Sequence, residues 1–164
     1  MLHRTTVTTP IGDLRVVASD HGIREIWMPL SDARHIPARA TENADHPILN
    51  ETRRQIDEYF RGDRLLFDLP LDVEGTSFQR EVWDALAEIP YGETESYGQL
   101  AERVGRPGAA RAVGGANGRN PVPLVVPCHR VIGANGTMVG YGGPSQDGIA
   151  IKRWLLRHES QVRA

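Results

Sequence analysis

The 164-residue chain has one cysteine, Cys128, and one lysine, Lys152. A lone thiol excludes an intrachain disulfide and a cysteine-based zinc cluster. With no export signal, it also points to the reducing cytoplasm. The opening residues, Met1-Leu2-His3-Arg4-Thr5-Thr6, carry no apolar run, so no signal peptide is expected. No stretch approaches the roughly 20 apolar residues of a membrane helix. Acidic residues are missing from one long segment: none lies between Glu102 and Asp147, whereas Arg103, Arg106, Arg111, Arg119 and Arg130 do. The formal charge of −2 hides this asymmetry, being −4 over residues 1–75 and +2 over residues 76–164. Interspersed arginines without acids suit an anion-facing surface, a duplex backbone being one candidate. A glycine-rich loop region that happens to lack acids is the alternative.

What is present describes an ordinary globular protein, 40% hydrophobic and 24% charged, long enough for one compact domain or two small ones. There are no internal repeats. Leu14, Val16 and Ala18 alternate with other residues after the turn signal Pro10-Ile11-Gly12-Asp13, predicting a hairpin. Ile23 to Leu30 reads as a strand, residues 31–46 as loop, and Leu65 to Val73 as a further strand before a boundary at Glu74-Gly75. Between them, Ile48, Thr52, Ile56, Tyr59 and Phe60 follow a helical period from Pro47 to Gly62. Beyond the boundary the chain reads as mainly helical. Phe78, Val82, Ala85, Leu86 and Ile89 mark a helix capped by Thr76 or Ser77 and ended by Pro90. Glu95-Ser96 opens a second, with Tyr97, Leu100, Ala101 and Val104 inward. Gly105-Arg106-Pro107-Gly108 breaks it, and a third, small-residue helix runs from Ala109 to Asn117. Helix, short glycine turn, helix is the outline of a helix-turn-helix. The last helix, from about Gly148 to Glu159, turns Ile151, Trp154 and Leu155 inward.

Cys128 lies in the run Pro127-Cys128-His129-Arg130-Val131. A free cysteine is commonly a small buried hydrophobe, but a histidine neighbour raises nucleophilic chemistry. The thiolate attacks, and with an ordinary thiol pKa near ~8.5 it needs a base or a cation to form at neutral pH. Consecutive side chains diverge on a strand or a helix, so a bridging water is a natural relay between Cys128 and His129. The imidazole also needs an acceptor on its other nitrogen. Glu159 and His158 on the last helix, and Asp147, are candidates to meet the cysteine loop.

These residues, with the upstream Asn120-Pro121-Val122-Pro123, resemble the signature of the O6-alkylguanine-DNA alkyltransferases, also called methylated-DNA–protein-cysteine methyltransferases. Tyr91-Gly92-Glu93-Thr94 and Ser96-Tyr97-Gly98-Gln99-Leu100-Ala101 resemble the family's first DNA-side helix. Ala109-Ala110-Arg111-Ala112-Val113-Gly114 resembles its recognition helix, and Trp154-Leu155-Leu156 through Glu159 its terminal helix. The resemblance runs from about residue 76 to residue 159 in several ordered blocks. It implies an α+β fold: a small N-terminal RNase H-like sheet-plus-helix domain over residues 1–74, then a mainly helical domain with a helix-turn-helix over residues 75–164.

The resemblance also implies a mechanism. Cys128 is the alkyl acceptor, His129 the base that takes its proton through a water, and Glu159 the carboxylate that polarises His129. Arg111 enters the duplex to replace a flipped guanine, and Tyr97 crowds the 3′ phosphate and donates to the purine. Asn120 joins the recognition helix to the cysteine loop, and Pro123, Val131 and Tyr141 wall the base pocket. The glycines of the recognition helix, Gly114 among them, let its backbone approach DNA, tight helix packing being the rival explanation. Gly142 stands where some relatives carry a serine, so only its backbone N–H can donate there. The link Pro144 to Gly148 is longer than in some relatives. The implied activity is DNA repair by direct, single-turnover transfer of an alkyl group from O6-alkylguanine, and from O4-alkylthymine. No cofactor or metal is implied. The implied partner is double-stranded DNA, bound in the minor groove by a monomer with or without cooperativity. A damage-binding module without transfer, and a cysteine hydrolase with many turnovers, are the competing functions.

Overall fold

The structure is a computed structural model that describes residues 1–29, 40–136 and 146–163, with residues 146, 147 and 163 described by backbone alone. The chain divides into two compact units, Met1–Glu74 and Gly75–Ala164. The first holds a four-stranded sheet of order β3-β2-β1-β4, from β1 (Leu2–Thr9), β2 (Gly12–Ala18), β3 (Ile23–Trp27) and β4 (Ala40–Glu42). The predicted hairpin is β1–β2, in register from His3 opposite Ala18 to Thr9 opposite Gly12. Its turn is closed by the Thr9 hydroxyl donating to the Gly12 carbonyl at 2.6 Å, with Gly12 at φ 115°, a conformation that needs glycine. β4 was not foreseen. Three residues inside the expected 31–46 loop pair in parallel with β1, Leu2 opposite Ala40, too short to show a period of their own.

Helix α1 (Pro47–Phe60) packs on β1 and β2, burying Leu49, Thr52, Gln55, Ile56 and Tyr59. Leu49 takes the inward position expected of Ile48. The expected strand from Leu65 to Val73 does not form. Only Leu71 bridges, to Ile23, through the Ile23 N–H to Pro70 C=O and Asp72 N–H to Ile23 C=O bonds, both 2.8 Å. Further upstream a side chain replaces the ladder. The Gln55 amide donates to Asp68 C=O and accepts from Asp68 N–H, each at 2.9 Å. Leu65 and Leu66 point outward.

One polar cluster ties this unit together. Nε2 of His3 lies 3.1 Å and Nε2 of His46 3.4 Å from Asp20 Oδ1. Ile48 N–H donates to His46 Nδ1 at 3.3 Å. Asn43 Oδ1 accepts from Asp45 N–H, which leaves its amide nitrogen to face His3 Nδ1 at 3.4 Å. Both rings thus carry their proton on Nε2 and donate to Asp20, clasping β1, the β2–β3 turn and the start of α1. Three convergent ligand atoms would need those two protons moved before they could bind a metal ion.

The second unit contains α2 (Ser77–Ala87), α3 (Tyr97–Arg103), α4 (Ala110–Gly118), a 3₁₀ turn at Cys128–Arg130 and α5 (Gln146–Arg163). Thr76 with Gln79 and Ser96 with Gln99 form reciprocal capping boxes at α2 and α3, each cap worth about 0.5–2 kcal/mol. Glu95–Ser96 is first a short strand, β5, pairing in parallel with β6 (Val131–Ile132). That pairing ties the start of α3 to the residues just after Cys128. The α3–α4 turn uses Gly105 and Gly108 at φ 74° and 86°. Trp83 pins α4 to α2 by donating to the Ala116 carbonyl at 2.9 Å.

Candidate active site

The loop from α4 to the cysteine is clamped by one amide. Asn120 donates to Val126 C=O at 2.8 Å and accepts from Val122 N–H at 3.0 Å. Leu124 inside it, with its side chain buried, is held at φ 77°, a sparsely populated conformation for leucine that the surrounding contacts must maintain. Val126 C=O also accepts from Cys128 N–H at 2.8 Å, so the clamp reaches the cysteine directly. Pro123 bridges back to Val126, and Val131 is fully buried in β6.

Cys128 is buried. His129 and Glu159 are fully buried, and Nε2 of His129 lies 2.8 Å from Glu159 Oε2. A carboxylate only accepts, so this ring nitrogen carries the proton. The other, Nδ1, is then the basic nitrogen of a neutral imidazole. Burial pushes the His129 pKa down, against the Glu159 contact that raises it. Burial would raise Glu159, but the His129 hydrogen bond and the Arg130 guanidinium outweigh it and hold this carboxyl far below the usual carboxylate range. Of the candidate orienting groups, Glu159 is the one hydrogen-bonded to the His129 ring among the described residues. His158 stacks on Trp154 instead, ring centroids 5.0 Å apart, and the Asp147 side chain lies outside the described residues.

Three more side chains belong to this cluster, and the apolar period missed them. Arg130 is buried, donating to Glu159 from Nε at 2.8 Å and from one terminal nitrogen at 3.0 Å, and to Ile89 C=O at 2.7 Å. Lys152 is buried too, its Nζ donating to Val131 C=O at 2.5 Å. Burial pushes Lys152 down from its ordinary pKa, and the nearby Cys128 opposes this. Asn117 of α4 is buried. Burial, then Cys128, pushes the Tyr97 phenol upward, against the influence of Asn117, so it stays a proton donor at neutral pH. The inward face of α5 is therefore Lys152, Leu155 and Glu159, while Ile151 and Trp154 are half-buried. The spacing of a lysine, a leucine and a glutamate was the available signal.

The arginines of the acid-free stretch divide. Arg103 is held by Glu95, Glu88 and Ala85 C=O, and Arg106 by Glu81 and the Phe78 ring. Arg130 faces inward. Only Arg111, on α4, and Arg119, at its C-cap, are exposed without a side-chain partner among the described residues. With Ala112, Gly115 and Gly118 they form its outer stripe. A Cβ on Gly115 would meet nothing within 4 Å, and one on Gly114 would meet only the Tyr97 ring at 3.6 Å, an ordinary contact. Packing among the described residues therefore requires neither glycine. Tyr141 and Gly142 lie outside the described residues.

Residues 77–161 match the model of the DNA-binding domain of 6-O-methylguanine DNA methyltransferase, and residues 2–73 that of its ribonuclease-like domain. The chain belongs to this family. A methylated-DNA–protein-cysteine methyltransferase of Shigella flexneri is 60% identical, with 95% of this chain and 94% of that protein covered. One of Mycobacterium tuberculosis is 46% identical over 97% and 93%. The crystal structure of Mycobacterium tuberculosis OGT in complex with DNA superposes with a TM-score of 0.87 at 43% identity, covering 98% of this chain and 93% of that one. The α+β architecture, a sheet-and-helix unit before a helical unit, is the family's. No helix among the described residues is long and apolar enough to cross a membrane.

Proposed function

We propose that this family member repairs alkylated DNA by moving an alkyl group from O6 of guanine to Cys128, once per molecule. The observation that carries the reading is the buried Cys128-His129-Glu159 constellation, with His129 presenting an unprotonated Nδ1 and Glu159 fixed at 2.8 Å behind it. The Cys128 proton passes to His129, directly or through a water. The thiolate sulfur attacks the alkyl carbon in line, the C–S bond forms, and the C–O bond breaks with its electron pair staying on the purine. Tyr97 supplies a proton to the leaving purine. The thioether offers no leaving group for regeneration, so the protein is consumed. O4-alkylthymine presents the same alkyl–oxygen bond and is a second substrate. No cofactor enters these steps.

The target base must leave the stack to reach a buried sulfur, which costs a few kcal/mol. Arg111 fills the vacancy, and α4 lies in the minor groove with its Gly115 stripe against the backbone. Asn120 and the Pro123–Val126 loop hold Cys128 at the mouth of a pocket walled by Pro123, Val131 and Tyr141, with Gly142 donating from its backbone. The protein acts as a cytoplasmic monomer. Counting guanine restored in the duplex against protein tests the reading. With alkylated duplex in excess, product stops at one equivalent per chain. Continued turnover would identify a hydrolase, and no product a damage-binding module.

Two further results are expected. With the positive charges of Arg111 and Arg119 both brought to the duplex, log affinity for it falls with log salt at a slope of about 0.9 per phosphate charge neutralised, hence near 2; a flat dependence would remove α4 from the DNA. Gly115→Ala stabilises α4 by about 0.5–1 kcal/mol, because alanine loses less backbone entropy than glycine. The added methyl holds the backbone off the duplex and weakens binding about tenfold, or about 1.4 kcal/mol. Thermal unfolding and a binding titration check both halves, and unchanged affinity would show that α4 does not approach DNA closely.

A further inference from the structure

We propose that Arg130 is a positioning residue which keeps His129 neutral, and so able to take the Cys128 proton, by supplying the countercharge of Glu159. This rests on the function proposed above. Among the described residues, the Glu159 carboxylate meets His129 Nε2 at 2.8 Å and the guanidinium at 2.8 and 3.0 Å across both oxygens. Arg130 is fixed in turn by Ile89 C=O at 2.7 Å and by the Tyr91 ring, 5.5 Å beneath its central carbon. A two-pronged guanidinium holds a carboxylate in plane as an ammonium cannot.

Charge counting shows what that grip does. A buried carboxylate paired with histidine alone is neutralised by an imidazolium, and an imidazolium is no base. Here the carboxylate is already neutralised by Arg130. A second positive charge on His129 would then be buried unpaired, which is unfavourable in a low-dielectric interior. Other titratable groups lie around the ring. Glu159 and Lys152 face it from α5, and Arg130 and Cys128 share its 3₁₀ turn. Tyr91, after α2, is coupled to Glu159 and Arg130, and Tyr97 of α3 to Cys128. Lys152 acts in the same direction as Arg130. His129 is thus a base held in reserve: it gains its proton only as the thiolate appears to balance it.

The test uses the full-length protein and the free O6-alkylguanine base, which needs no duplex. Transfer rate is measured against pH for wild type, Arg130→Gln and Arg130→Lys, with tryptophan fluorescence in the same buffers to confirm folding. Losing the countercharge makes His129 easier to protonate. The acid limb should therefore move upward by about one pH unit or more in Arg130→Gln, with most of the rate recovered above it. Arg130→Lys, which keeps the charge and loses the fork, should move less. A rate lowered equally at every pH with an unmoved limb would make Arg130 merely structural and overturn the proposal. If Arg130→Gln does not fold, nitrogen chemical shifts of His129 in the wild type decide. A neutral ring protonated on Nε2 at pH 6 is expected, and an imidazolium at that pH overturns the proposal. A wild type that transfers nothing contradicts the proposed function instead, and the ring's protonation state is read independently of it.

Discussion

Cys128→Ala is expected to abolish alkyl transfer while binding alkylated duplex within about twofold of wild type, a change of roughly 0.4 kcal/mol. The two halves separate because the thiol does chemistry only. It is buried, so it contacts no phosphate, and the exposed stripe of α4 is untouched by its loss. Removing one sulfur leaves the His129–Glu159–Arg130 bonds in place, since these join imidazole, carboxylate and guanidinium to one another. Rates measured with labelled duplex, and affinities by titration, check the two halves. Residual transfer would place the acceptor elsewhere. A large loss of affinity would mean that the substitution has disturbed the loop clamped by Asn120.

The second large effect belongs to Arg111. If it replaces the extruded base, Arg111→Ala should slow repair of duplex by about a hundredfold, about 2.7 kcal/mol, comparable with the cost of unstacking a base. Transfer from the free alkylated base should fall less than about threefold, or about 0.7 kcal/mol. Arg111 is exposed on α4, so its removal leaves no hole in the protein. Arg111→Lys separates charge from shape: the ammonium still attracts phosphate, but the planar guanidinium that stacks and donates in a fork is lost. That variant should bind duplex nearly normally and transfer slowly. A mismatched partner base, easier to flip, should partly rescue it. Equal losses on duplex and free base would assign Arg111 to the pocket or the fold.

The parts legible in the sequence were those with local signals. The hairpin announced itself through Pro10-Ile11-Gly12-Asp13 and alternation. The α2 start showed as a cap residue, Thr76 or Ser77, before an apolar period, and the α3–α4 break as Gly105 to Gly108. What stayed hidden was decided by distant partners. β4 and the β5–β6 pair are two or three residues long and exist because another strand lies beside them. Leu65 to Val73 has strand composition, yet its backbone is met by the Ile23 backbone of β3 and otherwise by side chains, those of Gln55, Arg24 and Arg64 among them, and two leucines remain exposed. The site followed the same division. Cys128, His129 and Glu159 were named by a local motif and a resemblance. Arg130, the next residue, read as a surface cation because sequence charge does not say which way a side chain points. Lys152 broke the apolar period of α5 for the same reason. Buried charges look like exposed ones until their partners are placed.

The central claim is that one sulfur receives the alkyl group and is spent. The direct measurement is a peptide map after mixing the full-length protein with an equal amount of duplex carrying isotopically labelled O6-methylguanine. The account predicts label only in the peptide containing Cys128, rising to one methyl per chain, with unmodified guanine left in the duplex. Label on any other residue, or demethylated duplex beside unlabelled protein, would contradict it.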